Sequence, residues 1–142
     1  MWSYDPERLS ARSPIPHMTW RAELSLDYSL STGRTLARHR HHGPLRVLQS
    51  LYPEGDAVCH NVLVHPPGGI VGGDVLDIRV TAGEGAHGLL TTPGATRFYR
   101  SEGAPGVQQT VLDVAPGARL EWLPLEALYC KRTVIPPLRA AA

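Results

Sequence analysis

The sequence predicts an all-β fold on three observations. Trp20, Ala22, Leu24, Leu26, Tyr28 and Leu30 alternate with Arg21, Glu23, Ser25, Asp27 and Ser29. That period of two gives a strand one apolar and one wet face. Fourteen glycines and 13 prolines in 142 residues, without a collagen-like period, mark frequent turns rather than disorder. No stretch carries the 3.6-residue apolar period of an amphipathic helix.

The elements follow in order. Residues 1–18 hold three prolines and no sustained period, so they read as a flexible lead-in to a β domain over 19–129. After the alternating strand, Gly33 punctuates a turn. Leu36, Leu45, Val47, Leu48 and Leu51 then indicate irregular strands around a basic loop, Arg38-His39-Arg40-His41-His42. Residues 57–65 read as an interior strand, with Val58, Val62 and Val64 on one face and Leu63 on the other. Leu76, Ile78 and Val80 alternate with Asp77, Arg79 and Thr81, and short strands follow over 86–92, 97–100, 107–114 and 119–123.

A weak repeat runs through the second half. Ile78 to Ala86 and Leu112 to Ala118 each read as strand, small-residue turn and strand, with their Gly-Ala pairs 32 residues apart. Two copies fall short of the three or so units of a solenoid. They predict stacked antiparallel hairpins in a β-helix-like, two-layer arrangement, incomplete in a chain of this length.

Composition narrows the function. A net charge of +1 gives no global field for nucleic acid or an anionic membrane. No apolar run approaches the roughly 20 residues of a membrane span, and the N-terminus lacks a signal-peptide core. Two cysteines, Cys59 and Cys130, imply no disulfide framework, and a reducing, cytoplasmic setting is expected.

The densest stretch is His65-Pro66-Pro67-Gly68-Gly69-Ile70-Val71-Gly72-Gly73-Asp74. Its four glycines trace a backbone path closed to side chains, braced by prolines of fixed φ. It is no P-loop, because no Gly-Lys-Ser/Thr follows, and no dinucleotide fingerprint, because a strand pattern rather than a helix comes next. Gly68, Gly69, Gly72, Gly73 and Asp74 therefore form a structural glycine loop, with Asp74 a turn-former through its carboxylate. The second dense stretch is Thr91 to Ser101. Its Pro93-Gly94 turn presents two threonines on one side and Arg97, Tyr99 and Arg100 on the other, a composition of interface hot spots.

Seven histidines raise a metal hypothesis. In the basic loop, neighbouring arginines repel a cation, and no Cys or carboxylate is close in sequence. Cys59, His60 and His65 are the remaining candidate ligands, although His60 and His65 face opposite sides of one strand. Cys59 reads foremost as a buried, inert thiol, and His65 as a side chain that pins the glycine loop by a hydrogen bond. Asp74, Asp77, Glu84 and Glu121 show no catalytic spacing, and no serine stands in a nucleophile elbow. No enzymatic activity is expected.

Taken together, Gly43-Pro44-Leu45-Arg46-Val47, Leu51-Tyr52-Pro53-Glu54-Gly55, Cys59-His60, the glycine loop, Thr91 to Ser101 and Leu120-Glu121-Trp122-Leu123-Pro124 resemble the UreD (UreH) family of urease accessory proteins. The resemblance spans roughly residues 20 to 129 and about the first half of a typical member. It implies an all-β scaffold with β-helix-like winding. Such a scaffold binds apo-urease and the UreF–UreG complex while nickel is inserted into the urease active site. It holds no tight cofactor, and nickel is at most in transit. Arg97, Phe98, Tyr99 and Arg100 become candidate partner contacts. The alternatives are a nickel carrier using Cys59, His60 and His65, and a truncated, non-functional remnant. The segment 130–142 departs from the family pattern and reads as a divergent tail.

Overall fold

The first hairpin sets the frame. Strand β1 (Arg21–Ser31) turns through Thr32 and Gly33, at φ 45° and 80°, into β2 (Arg34–His42). Two consecutive positive φ values make the two-residue turn whose twist matches antiparallel strands. β1 buries Ala22, Leu24, Leu26 and Tyr28 on its apolar face, as the alternation predicts. The stretch read as a basic loop is instead the far half of β2, paired residue by residue with β1 from Ser31↔Arg34 to Glu23↔His42.

The computed structural model describes residues 19–129 and the backbone of 139–141. The lead-in, 1–18, and 130–138 and 142 of the tail lie outside the described residues. Nine further strands complete the all-β fold: β3 (Arg46–Val47), β4 (Val58–Val64), β5 (Val75–Ala82), β6 (His87–Thr91), β7 (Thr96–Phe98), β8 (Val107–Val114), β9 (Arg119–Leu123), β10 (Ala127–Tyr129) and β11 (Arg139–Ala141). No helix occurs among the described residues, so none is long and apolar enough to cross a membrane.

The strands form sheets in the orders β11-β8-β5-β1-β2, β3-β4-β6-β9 and β10-β7. Among the described residues antiparallel pairing is confined to β1–β2 and β3–β4, together with an isolated bridge between Leu51 and His60. Every other pair of strands is parallel, which corrects the expectation of antiparallel hairpins. The repeat is nonetheless real in space: Val75 pairs with Val107 and His87 with Arg119, each 32 residues on. The physical reason lies in the corner at 83–86. There Gly85 takes φ 69° and the chain leaves β5 for a different sheet instead of folding back along it. Each unit therefore lays β5 then β6, or β8 then β9, beside its predecessor.

The sheets share one apolar cluster. Leu24, Leu26 and Tyr28 of β1, Cys59 and Leu63 of β4, Ile78 and Val80 of β5, Leu90 of β6 and Phe98 of β7 all belong to it, with Ile70 from the glycine loop. β4 is an interior strand between β3 and β6, as its two-sided apolar pattern predicts.

Candidate functional site

The two dense stretches of sequence meet in space. Ile70, mid-way through the glycine loop, bridges Phe98 in parallel. The Ile70 amide donates to the Arg97 carbonyl at 2.8 Å, and the Tyr99 amide to the Ile70 carbonyl at 2.9 Å. The loop thus extends the two-stranded ladder of β7 and β10 by one further row. Residue parity then puts Arg97, Tyr99 and Leu128 on its outer face, and Phe98 and Tyr129 together as stacked rings 4.8 Å apart.

The glycines serve two separate needs. Gly68 and Gly73 sit at φ 76° and 88°, a region that side chains strain. At Gly69 and Gly72 the limit is space: a Cβ at 69 would strike the Tyr99 ring, and one at 72 would strike Ser101 Oγ and the Ala104 carbonyl. Val71 to Asp74 closes a turn through Asp74 N–H donating to the Val71 carbonyl at 3.1 Å. Positive φ at its third residue is the signature of type II and the reason for glycine there.

Asp74 is the anchor of the site. Its side chain is buried, with Oδ1 accepting from the Trp20 amide at 2.9 Å and Oδ2 from the Val71 amide at 3.0 Å. Its carbonyl accepts from the Val107 amide at 2.8 Å. One residue therefore ties the entry of β1, the glycine loop and the entry of β8. This is structural work.

The outer surface beside the loop carries Arg97, Tyr99 and Arg100, flanked by exposed Val71, Leu128 and Tyr129. Arg100 pairs with Glu102 at 3.5 Å. Phe98 lies in the core instead, 7% exposed, so of the four candidate contact residues three face outward. The two threonines of the Pro-Gly turn are consumed internally. Thr91 Oγ1 donates to the Leu123 carbonyl at 2.7 Å, and Thr92 Oγ1 accepts from the Leu125 amide at 3.0 Å.

The candidate metal ligands do not converge. Cys59 is fully buried with Sγ 3.5 Å from Asn61 Oδ1. His60 is on the other face of β4, its Nε2 2.7 Å from Glu54. His65 Nε2 is buried without a hydrogen-bond partner among the described residues, beside a cavity of about 160 Å³ that Leu63, Ile70, Leu76 and Trp122 help line. Burial pushes the His65 pKa down, opposed in part by the Asp74 carboxylate. The expected ring hydrogen bond is replaced by a backbone one, Gly68 N–H donating to the His65 carbonyl at 3.2 Å. Among the described residues no three His, Cys, Asp or Glu side chains gather closely enough to hold a metal ion.

One arrangement has no local signature in the sequence. His87 on β6 and Glu121 on β9 pair at 2.7 Å, with Arg119 3.1 Å from the same carboxylate oxygen. The His87 hydrogen bond holds the Glu121 carboxyl below its ordinary range. Only the 32-residue offset of the repeat brings these strands together, and that offset is the signal from which the pair follows.

The family model described as UreD urease accessory protein matches residues 21–134. A urease accessory protein UreD from Verminephrobacter eiseniae is 70% identical over 111 residues, covering 78% of this chain and 40% of its own length. Its counterpart from Polaromonas sp. strain JS666 is 68% identical over the same shares. One from Methylibium petroleiphilum is 58% identical over 118 residues, again covering 78% of this chain and 40% of the relative. The chain spans about two-fifths of the length of these curated relatives.

Proposed function

This chain belongs to the UreD urease accessory protein family, and from that premise we propose that it is a non-catalytic scaffold for urease maturation. It docks apo-urease and the UreF–UreG complex in the cytoplasm while nickel is inserted into urease. Nickel is cargo in this reading, and the chain holds no resident cofactor. The scattered positions of Cys59, His60 and His65 favour it over a carrier built on those three side chains.

The observation that carries the reading is the face formed by Arg97, Tyr99 and Leu128. Aromatic and arginine side chains are enriched among the few residues that dominate the energetics of protein interfaces. Here the face is pre-organised. Tyr99 is seated over Gly69, and the backbone beneath is bonded to Ile70 on one side and to β10 on the other. A rigid face loses less conformational freedom on binding than a mobile one.

The test is co-purification of the tagged chain expressed with UreF and apo-urease. Recovery of either partner, reduced in Arg97→Ala/Tyr99→Ala, is the expected result. Folded chain that brings down neither partner, or a double variant that binds as well as the parent, overturns the reading.

A further inference from the structure

We propose that β2 is a docking edge for an acidic, extended segment of a partner protein, which adds to the five-stranded sheet as a further strand. The inference is independent of the family and rests on position, exposure and charge.

β2 lies at the end of its sheet, paired on one side only. The 52–57 loop occupies the near part of its free side: the Thr35 amide donates to the Asp56 carbonyl at 2.9 Å, and Tyr52 Oη donates to the Thr35 carbonyl at 2.8 Å. From Leu36 to His42 the backbone is bonded to β1 alone among the described residues. The strand also overhangs the core. His39 and His41 stand opposite Leu26 and Leu24, on the core-facing side, yet both are exposed, their rings stacked with centroids 6.0 Å apart. Ala37 still packs on the core, but from Arg38 to His42 the strand is exposed on both faces, with only the Arg46 guanidinium beside the His41 ring at 3.2 Å among the described residues. Its free edge offers a ladder of unpaired amides and carbonyls, which is what strand addition uses.

Charge selects the occupant. Residues 34–42 read Arg-Thr-Leu-Ala-Arg-His-Arg-His-His, three arginines and three histidines without a carboxylate, in a chain of net charge +1. Arg34 is spoken for by Asp56 at 3.6 Å, whereas Arg38 and Arg40 close no ion pair among the described residues. Two side chains apart along a strand, Arg38 and Arg40 share a face and match acidic residues at alternate positions of an added strand. The same charges repel a second copy of β2, so they block self-pairing while admitting an acidic strand. Nucleic acid would use the arginines and leave the backbone ladder idle.

The experiment is selection of peptides of about ten residues from a random library against the full chain, followed by amide hydrogen exchange of the complex. The expected peptides carry Asp or Glu at alternating positions. Their affinity falls about tenfold or more in Arg38→Glu/Arg40→Glu, as expected for charge complementarity across an interface. Amides of residues 36–42 slow their exchange on binding, while β1 and β5 amides, equal in parent and variant, show the fold intact. The proposal fails if no peptide is selected, if those selected lack acidic residues or ignore the charge reversal, or if amides of 36–42 gain no protection. It fails equally if an oligothymidine of similar length binds as tightly as the acidic peptides.

Discussion

The ring of Tyr99 fills the space in which a side chain at residue 69 would stand. The two residues are thus one unit: the glycine exists for the ring, and the ring covers a glycine that would otherwise leave backbone bare. Gly69→Ala should cost about 1–3 kcal/mol of stability, the usual range for overpacking. Tyr99→Ala should relieve most of that clash, so the double variant falls short of the sum of the singles by about 1 kcal/mol or more. Urea unfolding of the four proteins checks this, and strict additivity would contradict the contact.

The neighbouring pair behaves differently. Gly72→Val/Gly73→Val meets a steric block at one position and a positive φ at the other, with a β-branched residue the worst choice for both. Thermal melting should drop sharply or folding should fail, and an unchanged melting curve would refute the geometry.

Asp74→Ala leaves the Trp20 and Val71 amides without an acceptor in a part-buried setting. Stranding two such donors should cost about 2–4 kcal/mol. The loss should appear as faster amide exchange at both ends of the link, near residue 20 and near residue 71, a pattern that a purely local defect would not produce.

His65 makes stability depend on pH with a definite sign. Burial lowers its folded pKa below the ordinary 6.5, so the unfolded chain takes up the proton first. Stability is therefore full above about pH 6.5 and declines as the pH falls toward the folded value. Glu121, also held low, contributes stability above its ordinary 4.5 that is lost at more acid pH. Melts at pH 7.5 and 5.5 should show the first decline, and His65→Gln should flatten it while leaving the second in place.

Metal binding should be absent at the sequence-derived candidates. Cys59 and His60 project from opposite faces of β4, and His65 stands beside a largely apolar cavity. Equilibrium dialysis of the chain against micromolar nickel should return no one-to-one complex. A stoichiometric complex abolished by His60→Ala would restore the carrier alternative.

Strand identity was legible wherever one face is apolar. The alternation of Ala22 to Tyr28 and of Leu76 to Val80 gave their strands and buried faces directly, because a period of two has no helical counterpart. β2 was missed from Arg38 onward for the converse reason: both its faces are polar, and its extended form is imposed by the Thr32-Gly33 turn and the β1 ladder. Pairing direction was not legible either. Parity along a strand is the same in parallel and antiparallel ladders, so the Gly-Ala repeat showed the spacing of β5 and β8 without the course of the chain between them. At the site, the glycines and the Arg97–Arg100 segment stood out singly. That Tyr99 meets Gly69, and that Phe98 turns inward, depends on a register between residues about 30 apart.

That register has a kinetic consequence. Apart from the β1–β2 hairpin and the short β3–β4 pair, each ladder joins residues 28 or more positions apart, up to 54 between Arg21 and Val75. Contact order of this kind slows folding, since loop closure must precede any reward from pairing. During synthesis β1 waits for its parallel neighbour until residue 75 has left the ribosome, and β5 waits again for residue 107. Two apolar strands are then exposed in turn on the nascent chain, so assembly of this fold is paced by translation and is most vulnerable to aggregation before β8 arrives.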